Sequence, residues 1–245
     1  MLTPLERLAT NEMYKLILGL ALAFSFVSCE KEKRDCPSST EKTFVNTGFN
    51  RISAGETFNL TIKQGATFSI KAKGCSNDLN DLVLSEQNGV LTIRYNQHEN
   101  GRYRIDFDIT LPALSSIALD GAATATLTGF SQQAINLKTV LNGSTKCTVN
   151  DLPALLSAEV AGTSALTVSG TSSDLIAHLS GDSKLYAYGA SFNDADVYTS
   201  GTSKAQVVVH KSLAALASGD SRIYYKGAPT SVNIEQSGTA KVIHE

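Results

Sequence analysis

Lys184, Lys204, Arg222 and Lys241 follow one another at intervals of 20, 18 and 19 residues. Tyr186 and Tyr224 each stand two places after a member of that series, and Tyr188 four places after Lys184. If each interval is one turn of a periodic fold, the four cations form a ladder with tyrosines beside it. Such a surface can hold an anionic or sugar ligand, because tyrosine offers an apolar ring and a polar tip next to the positive charge. The same residues can instead be a solvated face whose long cationic side chains discourage unwanted association. Acid–base catalysis fits less well. Asp182 and Asp220 would lie two turns apart, on the order of 10 Å, with Thr202 between them and no Arg–Asp cluster around them. Glycosidic chemistry needs two carboxylates converging on one bond. The histidines at 98, 178, 210 and 244 fall into no metal-ligand spacing, and no P-loop, dinucleotide fingerprint, nucleophile elbow or zinc spacing occurs. The expectation is a non-enzymatic chain with no cofactor and no metal.

The intervals belong to a longer repeat that must position these side chains. Gly121, Gly143, Gly162, Gly181, Gly201, Gly219 and Gly238 are separated by 22, 19, 19, 20, 18 and 19 residues, in small polar settings such as Ser180-Gly181-Asp182-Ser183. A near-constant period close to 20 marks a solenoid, in which neighbouring repeats must stack to bury their apolar faces. Counted from each glycine, positions −6, −4 and −2 are apolar or small, as in Leu175, Ala177 and Leu179, and so are +4 and +6, as in Leu185 and Ala187. Alternation along a strand sends these columns inward, so each turn holds two strands around a glycine corner, closed by a looser return such as residues 170–173. Cys147 falls in an inward column and reads as a small buried hydrophobe. The ladder residues fall at position +3, facing outward. Residues 242–245 carry no capping helix, which leaves the last strand edge open to a partner or a second copy.

Upstream, residues 44–114 read as half-buried strands. Residues 57–62 and 67–72 alternate apolar and polar, Asn88-Gly89 between apolar runs signals a hairpin, and residues 103–111 alternate until Pro112. Phe58, Phe68 and Phe107 fall on the inward parity. This predicts an antiparallel β region over 44–116 capping a parallel β-helix over 117–245. Phe49-Asn50-Arg51-Ile52, Ile62-Lys63-Gln64-Gly65, Gly89-Val90-Leu91-Thr92-Ile93 and, most specifically, Leu111-Pro112-Ala113-Leu114 leading into Asp120-Gly121-Ala122 resemble the head GIN domain family, the auto-transporter adhesin heads of Bacteroidetes. The resemblance runs from about residue 44 to the C-terminus. It implies an all-β fold containing a right-handed β-helix of about seven rungs, on an exported and often lipidated protein, and it brings no catalytic residues.

The N-terminus reads as a targeting segment rather than as part of the fold. Residues 16–27 form an apolar run, preceded by Lys15 and followed by Ser28 and Cys29, that is too short for a membrane span of ~20 residues. Phe26-Val27-Ser28-Cys29 resembles a bacterial lipobox, which implies cleavage before Cys29 and lipidation of its thiol. Residues 1–28 are then a signal peptide, with Met13 a better start than Met1 because Glu6 and Glu12 precede it. Residues 29–43 read as a flexible tether, whose charged run 30–35 resembles the surface-export signal of Bacteroidetes lipoproteins. In an oxidising compartment, Cys36–Cys75 is the favoured pair because both lie outside the repeat, although spacing alone does not fix connectivity. The formal charge of −2, from 21 basic and 23 acidic residues, gives no electrostatic case for nucleic acid. These features predict an outer-membrane lipoprotein, periplasmic or surface-exposed, with a β-solenoid head for recognition or adhesion to a surface glycan, an anionic polymer or a protein. The alternatives are an assembly scaffold, oligomeric through its C-terminal end, and a polysaccharide-acting β-helix enzyme.

Overall fold

A computed structural model of the chain describes residues 36–133 and 136–245. The expected signal peptide, Cys29 and the tether up to residue 35 lie outside the described residues. The fold is almost wholly β. Its N-terminal part comprises β1 (Ser39–Phe44), β2 (Arg51–Ala54), β3 (Asn59–Gln64), β4 (Ser69–Cys75), the short helix α1 (Ser76–Asn80), β5 (Leu82–Gln87), β6 (Val90–Tyr95) and β7 (Asp106–Leu111). The repeats then supply β8 (Ser116–Leu119), β9 (Thr124–Thr128), β10 (Leu137–Leu141), β11 (Lys146–Asn150), β12 (Leu155–Val160), β13 (Ala165–Leu179), β14 (Lys184–Thr199), β15 (Lys204–Ala217), β16 (Arg222–Lys226), β17 (Ser231–Gln236) and β18 (Lys241–His244).

Two parallel stacks run the length of the solenoid. Before the glycine corner, Leu119, Leu141, Val160, Leu179, Thr199, Ala217 and Gln236 pair in succession. After it, Ala125, Cys147, Leu166, Leu185, Ala205, Ile223 and Val242 do the same. Up to Ala217 and Ile223 the inward columns bury their aliphatic side chains almost completely, and one continuous core results. A column of hydroxyls, Thr145, Ser164, Ser183, Ser203 and Ser221, is buried just past the corners. It fits there because the chain turns too tightly for larger groups. Four of its members bond each other or nearby carbonyls, as Thr145 Oγ1 does to Ser164 Oγ at 3.0 Å and Ser203 Oγ to Ser200 O at 2.9 Å, while Ser183 Oγ is buried without a partner among the described residues.

The corners explain the glycines twice over. All seven have φ between +67° and +76°, a region that costs other residues ~1–2 kcal/mol. From Gly143 onward, a Cβ on each would also lie 2.5–2.9 Å from the carbonyl oxygen of the preceding corner glycine. Thr163, Thr202 and Thr239 reinforce the corners by donating their hydroxyls to those same carbonyls. The column has an eighth member that no glycine marks. Glu56, with φ +59°, sits below Gly121 and accepts the Ala122 N–H at 2.8 Å.

Three expectations need revision. Antiparallel strands do occur at the N-terminal side, where β1 pairs with β4, β4 with β7 and β5 with β6. Residue 116 is nevertheless not a boundary, because β2 lies parallel between β6 and β8, and β3 parallel between β7 and β9. The solenoid therefore begins inside the region expected to cap it. Half-buried alternation reveals which face of a strand is buried but not the direction of its neighbour. The tether expected over 29–43 also ends early: β1 begins at Ser39, and Cys36 is disulfide-bonded to Cys75 with Cα atoms 5.5 Å apart. Finally, the return is a third paired segment rather than a loose loop. β13 continues through Gly170 and Ser172, which pair with Ala190 and Phe192 of β14, and Phe192 pairs with Val209 of β15. Phe130, Leu152, Phe192 and Val209 are buried along this third side.

At the N-terminal end, the Arg102 guanidinium is buried against Asp78 and Asp81 and lies 3.8 Å from the Tyr95 ring centroid. At the other end, Gln236 Oε1 accepts the Val242 N–H at 2.8 Å and His244 stacks on Tyr225 at 4.6 Å. Val232 and Ile234, which belong to the inward columns, remain 43% and 39% exposed. No helix among the described residues is long and apolar enough to cross a membrane.

Candidate functional site

The predicted ladder exists as a register column. Lys146, Ala165, Lys184, Lys204, Arg222 and Lys241 are successive partners across β11, β13, β14, β15, β16 and β18. Tyr186 and Tyr224 occupy the next outward column, with Gln206 between them. Much of the charge is answered from within. Lys184 lies 4.0 Å from Asp182 and Arg222 lies 3.3 Å from Asp220. Lys204 Nζ sits 4.6 Å above the Tyr224 ring, and Lys226 Nζ 4.2 Å above that of Tyr188. Exposed pairs of these kinds are each worth about 1 kcal/mol or less, enough to offset repulsion between neighbouring cations. Tyr188 donates its hydroxyl to Glu245 Oε2 at 2.7 Å. Burial first, and that hydrogen bond second, raise its phenol above the ordinary value. Tyr186 is the tyrosine of this face with an open ring, 39% exposed, and Lys146 and Lys241 make no ion pair among the described residues.

A concave site lies on the other side of the corners, where sequence reasoning placed none. The outward column three places before each glycine reads Glu159, His178, Tyr198, Leu216 and Glu235, paired in register. The column immediately before the glycines reads Asn142, Ala161, Ser180, Ser200, Ser218 and Ser237. Between them runs a groove of about 600 Å³ lined by both columns. From the turn of Asn142 to that of Ser237 it crosses five strand spacings, or ~24 Å.

The groove takes its shape from small side chains beside large ones. The backbone N–H groups of its floor are spent on the preceding turn, as in Ser180 N to Val160 O at 3.0 Å and Ser200 N to Leu179 O at 3.0 Å. Ser200 and Ser218 direct their hydroxyl protons to the carbonyls of Leu179 and Thr199, both at 3.4 Å, which leaves oxygen lone pairs available. His178 and Tyr198 stack with centroids 4.5 Å apart and planes within 5°. Their ring faces are turned along the stack, so their edges face outward. Glu159 pairs with Lys138 at 2.7 Å, and Glu235 is exposed. Among the described residues no lysine or arginine lines the groove. The column count that exposed the ladder at position +3 would have exposed this face at −3 and −1. Tyr198 is visible there as an outward aromatic, but the serines read as corner residues.

Other candidates are inert or structural. Cys147 is buried, and burial pushes its thiol up to about 12, so it is no thiolate nucleophile near neutral pH. Among the described residues no three His, Cys, Asp or Glu side chains gather as metal ligands.

The fold has solved counterparts. A structure described as a "putative adhesin" from Bacteroides fragilis superposes with a TM-score of 0.79 at 18% identity, covering 85% of this chain and 98% of that one. One described as a "putative lipid binding protein" from Parabacteroides distasonis gives 0.68 at 15% identity, with 85% and 97% covered. A "putative adhesin" from Parabacteroides merdae gives 0.61 at 16% identity, again with 85% and 97% covered. At such identities these likenesses concern the fold. No protein of curated function matches the sequence. Residues 48–229, which take in the corners from Glu56 to Gly219 and nearly the whole groove, match the family described as "Putative auto-transporter adhesin, head GIN domain", and the chain belongs to that family.

Proposed function

We propose that the chain is the recognition head of a cell-envelope lipoprotein, anchored to the outer membrane through lipidated Cys29, and that it holds an extended glycan in the groove beside the glycine corners. Membership of an adhesin-head family supports an envelope or extracellular location. The observation that carries the reading is the groove itself: a cleft of about 600 Å³ on a rigid stack, combining an apolar step at Leu216, aromatic edges and a row of hydroxyls. Ligand sites are typically concave, with a few placed polar groups. Glycan-array binding of the protein from Glu30 onward tests it. Binding that is lost in Leu216→Arg, with the melting temperature unchanged, is the expected result. Absence of binding at high protein concentration would refute it. Binding that survives Leu216→Arg but falls when Lys184, Lys204 and Arg222 become Ser would move the ligand to the ladder and make it anionic. A second reading, assembly through the C-terminal end, draws on the exposure of Val232 and Ile234. Light scattering at high concentration, with Ile234→Lys as the control, decides it.

A further inference from the structure

We propose that the groove selects a linear glycan free of carboxylate, sulfate and phosphate groups, lying along the stack at about one sugar per turn with hydroxyl or amino donors facing Glu159, Glu235 and the serine oxygens. This rests on the recognition reading above and names the ligand class for the same site.

Periodicity is the first argument. The groove crosses the strands, so its features repeat at the ~4.8 Å spacing between turns. A β-linked hexose chain advances by a similar distance per residue, so each sugar meets an equivalent set of groups. An extended peptide advances ~3.3 Å per residue and falls out of step. A peptide would also seek free backbone groups for strand addition, and the groove floor has spent its N–H groups on the preceding turn.

Charge and hydrogen-bond sense are the second argument. Among the described residues the lining carries two carboxylates, at Glu159 and Glu235, and no lysine or arginine. Glu159 already has a counter-charge in Lys138, which leaves Glu235 as the charge that meets a ligand at the C-terminal end. Ser200 and Ser218 turn their hydroxyls toward carbonyls in long contacts of 3.4 Å, which leaves oxygen lone pairs facing the groove. A channel ended by acids, with serine oxygens along it, suits hydroxyl and amine donors and repels polyanions. The apolar C–H rows of a sugar ring find Leu216 and the edges of His178 and Tyr198. The basic ladder lies across the corner on another face, so it does not cancel this selectivity.

The test is calorimetric titration of the full chain with three oligosaccharide series of two to eight sugars: neutral chitin fragments, amine-bearing chitosan fragments and acidic oligogalacturonates. Affinity is expected to rise with length to about six sugars, the number that five spacings accommodate, and then level off. Oligogalacturonates are expected to bind at least tenfold more weakly than the neutral series. Glu235→Gln, at an exposed position where the fold is not at stake, is expected to narrow that gap several-fold and to weaken chitosan binding. A preference for oligogalacturonates, an affinity independent of length, or a charge ratio unmoved by Glu235→Gln would overturn the selectivity while leaving glycan recognition intact. Binding to none of the three series would remove the recognition reading as well.

Discussion

Replacing a corner glycine by alanine separates two demands that the corners combine. Gly201 has φ +72°, and a Cβ on it would lie 2.8 Å from the Gly181 carbonyl oxygen and 3.2 Å from the Gly181 nitrogen. Both are backbone atoms in the inter-turn ladder, where the Thr202 N–H bonds the same oxygen at 2.8 Å, so neither can rotate away. Gly48 has φ +80° with nothing within 4 Å of the equivalent Cβ. Gly48→Ala therefore carries the cost of left-handed backbone alone, ~1–2 kcal/mol. Gly201→Ala adds an overlap that is relieved only by parting two turns, and overpacking of this kind costs ~1–3 kcal/mol more. The expected losses are thus ~1–2 kcal/mol at position 48 and ~2–5 kcal/mol at position 201. Urea unfolding followed by circular dichroism measures both, with an unchanged slope required for the comparison. Glu56 supplies the converse. It holds φ +59° at the head of the column, so Glu56→Gly relieves backbone strain while giving the unfolded chain more freedom. The net is expected to lie between neutral and a gain of ~1 kcal/mol. Equal losses at positions 48 and 201 would refute the claim that contact between turns, and not φ alone, enforces glycine at the corners.

Two further predictions concern the cysteines. The Cys36–Cys75 bond closes a separation of 39 residues, so on the loop-entropy account replacing both by Ser is expected to cost up to ~4 kcal/mol. Proteolysis should then begin at β1, whose pairing with β4 the bond secures, and an unchanged urea midpoint would count against this role. Cys147 gives a pH dependence. Its folded thiol is raised to about 12 from an ordinary 9.0, so the unfolded chain releases that proton first. The associated stability is complete below pH 9 and is lost as pH rises toward 12, with a slope of up to ~1.4 kcal/mol per pH unit. Cys147→Ala should flatten the alkaline limb of a stability–pH profile by that amount, and an unaltered limb would show that the thiol does not titrate there.

The repeat was legible because the corner imposes two constraints at once. Positive φ excludes most side chains, and the carbonyl of the turn below excludes the rest, so glycine recurs with almost no exceptions from Gly121 to Gly238. Glu56 escaped notice for the same reason. At the head of the column the strands below it, β6 and β7, are joined by residues 96–105 rather than by a tight corner, so one constraint is lifted and a side chain is tolerated. Strand direction was less legible. Phe58 and Phe107 fall on the inward parity whether β3 and β7 run parallel or antiparallel, so their alternation could not reveal that β2 and β3 already belong to the solenoid. The third side of each turn was hidden by Gly170, Ser172 and Gly189, residues that read as loop until neighbouring turns are present to take up their backbone groups.

The two outward faces differ in legibility for a reason that bears on how such sites are found. The ladder announced itself through residue types: Lys184, Lys204, Arg222 and Lys241 are conspicuous, and the structure puts them in one column. Yet Asp182, Asp220 and Tyr224 answer three of those charges on the same face. The groove is made by missing volume. Ala161, Ser180, Ser200 and Ser218 leave a trough only because Glu159, His178, Tyr198 and Leu216 rise beside it, and neither column carries a signature alone. The serines are small because the chain is about to turn at a glycine, so the concavity follows from the same steric demand that sets the repeat. A solenoid with tight glycine corners therefore acquires a trough alongside them as a consequence of its construction. What distinguishes one chain from another is the column that walls it, here an acid at each end with an aromatic pair and a leucine between.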